Sequence, residues 1–164
     1  MPMSTPRAFA RVVEDSRYKF RADFPGVVSE RVEDFAATGG ALAWRLYTSR
    51  SPDSEKTFNF TATIKVFDTD TADARQLFVA GESDATQSIG VALMGRSNCE
   101  FAADKLPCMT LQYQSGAANS MGAVKGKVML VVKGKRLYQI TFYFSGADQS
   151  AVGEKFLQSF EILP

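Results

Sequence analysis

Alternation of apolar and polar residues is the clearest pattern in the first third of the chain. Residues 18–24 (YKFRADF) place apolar side chains at every even position and charged ones at every odd position. A period of two is that of a β-strand with one buried face and one face in water. Residues 27–35, 43–47 and 58–66 predict further strands, with turn and loop residues between them. This part of the chain therefore predicts an antiparallel meander with one solvated face.

The period changes after residue 70, where small and apolar residues recur mostly at spacings of three and four. Such a stripe is typical of one face of an α-helix. Asp70 or Thr71 is the predicted N-cap, Asp73 falls in the first turn, and Gly90 or Gly95 ends the helix. The residues of the stripe are Ala74, Leu77, Phe78, Gly81, Ala85, Ile89, Ala92 and Leu93.

The C-terminal part of the chain predicts a hairpin followed by a short helix. Two apolar runs, residues 128–132 and 137–144, flank a Lys-Gly-Lys turn. In residues 151–160 apolar side chains lie four apart, and Asp148 is the expected N-cap. The predicted fold class is therefore α+β, with a long middle helix and a short C-terminal helix packed on an antiparallel β-sheet.

Length and composition fit one domain. The chain has 164 residues, of which 45% are hydrophobic, while domains most often have about 100–150 residues. We predict a single α+β domain over residues 17–164, preceded by a partly ordered N-terminal extension over residues 1–16. No internal repeat or linker divides the sequence.

The two cysteines lie in a segment that also predicts paired strands. Residues 99–101 and 109–113 have extended patterns, and a turn at Ala103-Asp104 would place Cys99 opposite Cys108. Cysteines that face each other in this way can form a disulfide, but two partly buried free thiols fit the same spacing. Spacing alone does not decide between them.

The chain contains no histidine, which removes several classes of chemistry. Ser-His-Asp and Cys-His nucleophile systems, HExxH metalloproteases and imidazole-ligated zinc sites are excluded. Two cysteines cannot form a four-cysteine zinc site either. We therefore expect a protein that is not an enzyme and holds no metal or cofactor. A less favoured hypothesis is an enzyme that uses carboxylates or lysine, because such residues are present.

Two short segments resemble ligand-binding loops, and each fits a structural role better. Asp68, Asp70 and Asp73 are spaced somewhat like calcium ligands, but the glycine and glutamate that an EF-hand loop needs are replaced by Asp73 and Val79. Helix capping accounts for these aspartates. Residues 122–127 (GAVKGK) are one residue short of a phosphate-binding loop and precede a strand instead of a helix.

Charge is nearly balanced over the whole chain, with 19 basic and 18 acidic side chains. This balance does not favour nucleic acid, and we expect no nucleic-acid partner. One basic group nevertheless clusters around the last hairpin, where it either meets an anionic partner or protects strand edges from aggregation. Its members are Lys125, Lys127, Lys133, Lys135 and Arg136.

Nothing in the sequence indicates a membrane span. No apolar run reaches the roughly 18 residues that a transmembrane helix needs, and the N-terminal residues lack the apolar region of a signal peptide. The compartment stays open. A periplasmic or envelope location follows if a leader, with or without a lipid anchor, precedes this sequence in the precursor, and a cytoplasmic one otherwise.

Three segments resemble a known fold group. Residues 18–26 (YKFRADFPG), 134–140 (GKRLYQI) and 156–163 (FLQSFEIL) resemble the opening strand, closing hairpin and final helix of small bacterial proteins with the PsbP-like fold. The order of elements agrees over nearly the whole chain. The resemblance implies an α/β/α sandwich and a role in binding other proteins, since the group includes an extrinsic photosystem II subunit and a nuclear-transport regulator. It carries over no catalytic motif.

Two functional hypotheses follow. The first is a non-enzymatic binding or assembly module of the bacterial cell envelope, which acts through contacts with an unidentified protein partner. The alternative is a carrier of a small apolar ligand in a pocket between sheet and helix, lined by Phe residues, Trp44 and Tyr113.

Overall fold

An antiparallel sheet with one helix on each face forms the centre of the protein. The computed structural model describes residues 12–33, 41–50, 58–115, 124–146 and 148–164. The two helices are α1 (Ala74–Ile89) and α2 (Ser150–Ser159). The strands are β1 (Val12–Asp15), β2 (Phe20–Asp23), β3 (Val28–Glu33), β4 (Ala41–Arg50), β5 (Phe58–Thr69), β6 (Leu93–Phe101), β7 (Leu106–Gln114), β8 (Val124–Lys133), β9 (Arg136–Gly146) and β10 (Glu161–Ile162).

Seven strands make the main sheet, in the order β3-β4-β5-β9-β8-β7-β6, and every neighbouring pair is antiparallel. The remaining three form a small sheet in the order β1-β2-β10. The predicted α+β class, with a long middle helix and a short C-terminal helix on an antiparallel sheet, is confirmed. β1 lies inside the predicted N-terminal extension, whose residues 1–11 fall outside the described part, and the domain boundary at residue 17 stays a prediction.

One face of the main sheet is covered by α2 and the small sheet. Alternate residues of β9 point to this face, from Tyr138 to Phe144, and meet aromatic rings from the covering elements. The rings of Phe24 and Phe156 have centroids 5.0 Å apart, and those of Phe20 and Phe160 are 5.9 Å apart. Burial of so many rings makes this the larger of two hydrophobic cores.

The opposite face of the main sheet is covered by α1. The helix buries Leu77, Gly81, Ala85 and Ile89, which are half of the predicted stripe. They pack on the apolar residues that β7, β8 and β9 direct to this side. Over β4 and β5 the same face is half-buried. β2, predicted as the first strand of the meander, belongs to the small sheet instead.

A polar contact fixes α1 across the strands. Asp84 Oδ2 on the helix accepts hydrogen bonds from Lys65 Nζ at 3.0 Å and from Gln139 Nε2 at 2.9 Å. Gln139 is buried in the middle of β9, so this bond satisfies a donor that would otherwise be costly. The sequence placed Gln139 on the less apolar side of its strand, and α1 covers that side.

The predicted N-caps of both helices need correction, while Gly90, one of the two predicted ends of α1, is confirmed. Asp73, not Asp70 or Thr71, is the N-cap of α1, because its side chain accepts a hydrogen bond from Gln76 N. The helix ends at Gly90, whose φ of 79° is the left-handed conformation that glycine adopts without strain. Ala92 and Leu93 of the predicted stripe therefore lie beyond it.

The N-cap of α2 is Gln149 rather than Asp148, and it makes no side-chain cap hydrogen bond. Asp148 lies one residue earlier, where its carboxylate accepts from Ser150 N at 2.9 Å. The helix is held by packing instead. Gly153 lies directly on the ring of Phe142, and a Cβ added there would be 2.8 Å from Cε2 of that ring.

We expect Gly153→Ala to destabilise the protein by up to about 3 kcal/mol. The added methyl overlaps a buried ring and forces α2 away from β9, a cost of about 1–3 kcal/mol, while the better helix propensity of alanine returns at most about 1 kcal/mol. Urea unfolding at equilibrium measures the difference. Gly95→Ala is the matched control, because a Cβ at Gly95 meets no atom within 4 Å. Equal stability of the two variants would contradict the close contact.

Candidate functional site

A groove runs beside α2 on the larger-core face of the sheet. The ten-residue helix packs mainly on β9 and β2 and leaves the facing side of the outer strands β6, β7 and β8 only partly covered. Met129 and Thr110 on these strands are accordingly half-buried, and Gln112 is exposed. We call this feature the α2 groove and define it by α2 and the facing residues of β6, β7 and β8.

Two hollows make up the α2 groove. The larger has a volume of about 280 Å³ and lies near the start of α2, with Phe142, Phe144 and Leu157 among its lining residues. The smaller has a volume of about 210 Å³ and is lined in part by Phe101, Met129 and Phe160. Aromatic and aliphatic side chains therefore form much of the walls of both hollows.

An ion pair separates the two hollows. Lys127 Nζ lies 2.7 Å from Glu154 Oε2, and both residues line both hollows. Both side chains are partly exposed, and ion pairs in such positions contribute about 0–1 kcal/mol. This bridge between β8 and α2 is therefore easily broken, and it leaves one charge of each sign available in the middle of the groove.

Met94 lies at the mouth of the larger hollow because of a bulge in β6. Leu93 pairs with Tyr113 and Gly95 with Gln112, so the register skips Met94. A bulge of this kind redirects a side chain, and 64% of Met94 is exposed. No sequence pattern singled out this residue, because bulges follow from strand pairing.

The structure joins Cys99 and Cys108 by a disulfide across the β6–β7 pair. Cys108 belongs to the larger core, and Cys99 packs against it while half-buried. The bond ties the edge strand β6 to the sheet next to the smaller hollow. Both cysteines are consequently unavailable as thiols in this state.

The basic group predicted around the last hairpin is divided between two places. Lys125 and Lys127 lie at one end of β8, beside the α2 groove. Lys133, Lys135 and Arg136 lie at its other end, around the turn into β9. The five side chains therefore do not form one continuous surface for an extended polyanion.

A buried carboxylate organises the junction between β1 and the main sheet. Asp15 is 3% exposed, and its carboxylate accepts from Arg45 NH1 at 2.9 Å, Tyr47 OH at 3.0 Å and Tyr18 N at 2.8 Å. Burial acts to raise the pKa of Asp15, but these hydrogen bonds outweigh it and hold the pKa below its ordinary value. Burial and the Asp15 charge together raise the pKa of Tyr47 well above its usual range.

The residues of the predicted ligand pocket are brought together only in part. Tyr113 lines the larger hollow with Phe142 and Phe144, and its hydroxyl lies 2.9 Å from Thr86 Oγ1. Trp44 lies on β4, four strands away, with Lys65 Nζ 5.3 Å from its ring. Beneath α1 a Cβ at Gly81 would be 3.0 Å from Leu130. The described residues therefore leave little space under the long helix for the predicted ligand pocket.

The aspartates before α1 have separate roles. Asp68 pairs with Arg136, Asp73 caps the helix, and Asp70 is exposed. Within the described ranges no group of three or more acidic or cysteine residues is arranged to hold a metal ion. No described helix is long and apolar enough to cross a membrane.

Comparison with known proteins gives likenesses of architecture. No family model and no curated protein matches the chain. Similar solved structures include a protein of unknown function from Pseudomonas aeruginosa, with a TM-score of 0.48 and 14% identity over 78% of this chain and 92% of that one. LpqN of Mycobacterium tuberculosis, described as involved in cell envelope biogenesis, has a TM-score of 0.48 and 12% identity over 93% of this chain and 90% of its own.

A third similar structure, from Bacteroides thetaiotaomicron, has a TM-score of 0.48 and 15% identity over 94% of this chain and 49% of that one. None of the three assigns a function to a residue of this chain. None of the three is described as PsbP-like, so that resemblance stays a prediction.

We expect Asp15→Asn to cost about 2–4 kcal/mol at pH 7, because Arg45 and Tyr47 lose a charged acceptor in a buried place. The folded-state pKa is lowered, so the stability that this carboxylate supplies is present above about pH 4 and is lost as the pH falls through the lowered pKa. Urea unfolding at several pH values should therefore show a shallower acid loss in the variant. Glu14→Gln, on the same strand with a 63% exposed side chain, should behave as the parent protein.

Proposed function

We propose that this protein is a non-enzymatic binding module that engages a protein partner through the α2 groove. The observation that carries the proposal is the pair of hollows, each with aromatic and aliphatic side chains in its walls, on a sheet face that α2 leaves partly uncovered. Met94 at the mouth and Met129 in the smaller hollow add unbranched, polarisable side chains, which adapt to differently shaped partner surfaces. The PsbP-like resemblance of the sequence implies the same class of function.

The size of the hollows favours a protein segment over a small ligand. Sites that bury a small molecule usually have volumes of about 300–1,000 Å³. The two hollows measure about 280 and 210 Å³ and are separated by the Lys127–Glu154 pair. A partner segment that presents two apolar side chains, one for each hollow, matches this division, and a polar residue between them would meet the ion pair.

The titrating groups support a binding role without catalysis. Asp15 has a lowered pKa, and Tyr47, Tyr113 and Tyr138 have raised ones. Each shift strengthens the protonation state that the residue already has at neutral pH, whereas a general acid or base needs a pKa near the working pH. A chain without histidine then has few remaining candidates for proton transfer.

The disulfide supports an envelope location. Structural disulfides persist in oxidising compartments such as the bacterial periplasm and are rare in the cytosol. The Cys99–Cys108 bond links two strands next to the α2 groove and therefore fits a folded protein outside the cytoplasm.

A carrier of a small apolar ligand is the second candidate. The observation in its favour is that the larger hollow lies between α2 and the sheet and has Phe142 and Phe144 in its wall. Native mass spectrometry of the freshly purified protein decides this point. If the parent protein retains a bound molecule and Met94→Glu does not, the carrier function would replace the proposed binding of a protein partner.

We expect Met94→Glu to weaken partner binding about tenfold or more, because the variant brings a charge to the apolar mouth of the groove. A photo-crosslinking amino acid at position 94 first captures the partner in cells of the source organism. The affinity of the purified partner is then measured for the parent protein and the variant. Two results would contradict the α2 groove as the binding site: crosslinking of the same protein from position 79, or an unchanged affinity of Met94→Glu for the partner.

Val79→Glu is the matched control for this measurement. Val79 is 66% exposed, close to the exposure of Met94, but it lies on α1, which covers the opposite face of the sheet. The control should bind as the parent protein does.

We expect both cysteines to be protected from alkylation in intact cells until a reductant is added. Mass shifts after thiol labelling, with and without reduction, measure this directly. Labelling of Cys99 and Cys108 without reduction would contradict the envelope location while leaving the groove proposal in place.

A further inference from the structure

A second concave feature lies at the other end of β8 from the α2 groove. It has a volume of about 370 Å³ and is formed where several segments converge: the turn before β2, the end of β5, the β8–β9 turn and the residues after β10. Four of its lining residues are basic, namely Lys19, Lys133, Lys135 and Arg136. We call it the basic pocket.

The positive charge of the basic pocket is not balanced by the side chains around it. Asp68 is the acidic side chain in its lining, and its carboxylate already holds Arg136, with Nε to Oδ1 at 2.6 Å and NH2 to Oδ2 at 3.3 Å. In the described part of the chain, no hydrogen bond or ion pair engages the side chains of Lys19, Lys133 or Lys135. All three lysines line one concavity, so an anion placed there is attracted by the positive charge of each of them.

The backbone of the basic pocket is preformed. The carbonyl of Lys135 accepts from Thr69 N and from Thr69 Oγ1, both at 2.9 Å, which ties the hairpin turn to the end of β5. The carbonyl of Lys19 accepts from Leu163 N at 2.7 Å, which ties the first turn to the segment after β10. Binding an anion here needs little ordering of the main chain, which lowers the entropic cost of association.

Lys19 has a backbone conformation that favours glycine. Its φ is 61°, in the left-handed region that a lysine adopts only at a cost. A glycine or asparagine would fill this turn position more favourably, but would remove the cation from the pocket. Ala102 and Lys105 have similar left-handed conformations, so the conformation of Lys19 is compatible with a role of its side chain and does not require one.

We propose that the basic pocket binds a phosphomonoester. Such a group carries close to two negative charges at neutral pH and several strong acceptor oxygens, which suits three lysine ammonium groups better than a single carboxylate would. Leu163 and Pro164 line the same pocket and provide apolar contact for the remainder of the ligand. The chemistry is shared by soluble phosphate esters and by the phosphomonoester headgroup of phosphatidic acid.

A solvated strand edge does not explain this arrangement. Lysines that protect edges from aggregation point separately into water. Here Lys19 comes from a turn more than one hundred residues away from Lys133 in the chain, yet both line the same concavity. The inference is independent of the proposed partner groove, because the two features share no lining residue.

The test uses the full chain and three probes: inorganic phosphate, glycerol 3-phosphate, and phosphatidylcholine vesicles with or without phosphatidic acid. Amide NMR titration of the soluble probes should shift the signals of residues 133–136 and 19 in a saturable manner. Co-sedimentation measures the vesicles. Binding of glycerol 3-phosphate identifies a soluble ester as sufficient, whereas binding only to phosphatidic acid vesicles identifies the lipid headgroup. Absence of saturable binding to all three probes overturns the proposal.

The double variant Lys133→Ala/Lys135→Ala should lower the affinity for the bound probe about tenfold or more. Lys125→Ala is the matched control, since it removes an exposed lysine from the other end of the same strand and should change the affinity less than about twofold. An equal loss of affinity in the control and the double variant would show nonspecific attraction and would overturn the proposed binding site.

Lys19→Gly separates a binding role from a structural one. Relief of the left-handed lysine should raise the midpoint of urea unfolding, while loss of the ammonium group should lower the affinity about threefold or more. A gain in stability with an unchanged affinity for the probe would show that Lys19 does not contribute to the binding site.

Discussion

Burial of β9 on both of its faces is the constraint on which the rest of the structure depends. Tyr138, Ile140, Phe142 and Phe144 enter one core, and the residues between them, such as Gln139, face the other. A central strand of this kind needs a covering layer on each side. The chain supplies α1 for one face and α2 with the small sheet for the other, so the three-layer arrangement follows from one strand.

The α2 groove is a consequence of how the second layer is attached. Gly153 lets α2 approach the ring of Phe142 closely, which places the helix over β9 and away from the outer strands. A single helix is about 10–12 Å wide, whereas seven strands spaced about 4.8 Å apart span about 29 Å, so α2 alone cannot cover the sheet. The disulfide between Cys99 and Cys108 then stabilises the uncovered edge, so the exposed apolar surface does not depend on packing alone.

Much of the fold was predictable from the sequence because side-chain periodicity is a local property. Strands β2, β5 and β9 and both helices follow from residues that are neighbours in the chain. The predicted N-cap of α1 was wrong for a physical reason: β5 continues to Thr69, where the carbonyl of Lys135 accepts its N–H, and the helix therefore starts later, after Asp73. Acceptable cap residues were present at three positions, and a contact distant in sequence selected one of them.

The candidate sites were much less predictable because they depend on register and convergence. Met94 reaches the groove through a bulge, and bulges are set by the partner strand. The basic pocket combines Lys19 with Lys133 and Lys135. The packing of the small sheet on β9 brings them together, and there the hydroxyl of Tyr138 donates to the carbonyl of Tyr18. The five basic residues that were adjacent in sequence were instead divided between the ends of β8. Because β8 is paired with β7 on one side and β9 on the other, its two ends are held apart, and the groove and the cationic pocket at these ends share no lining residue.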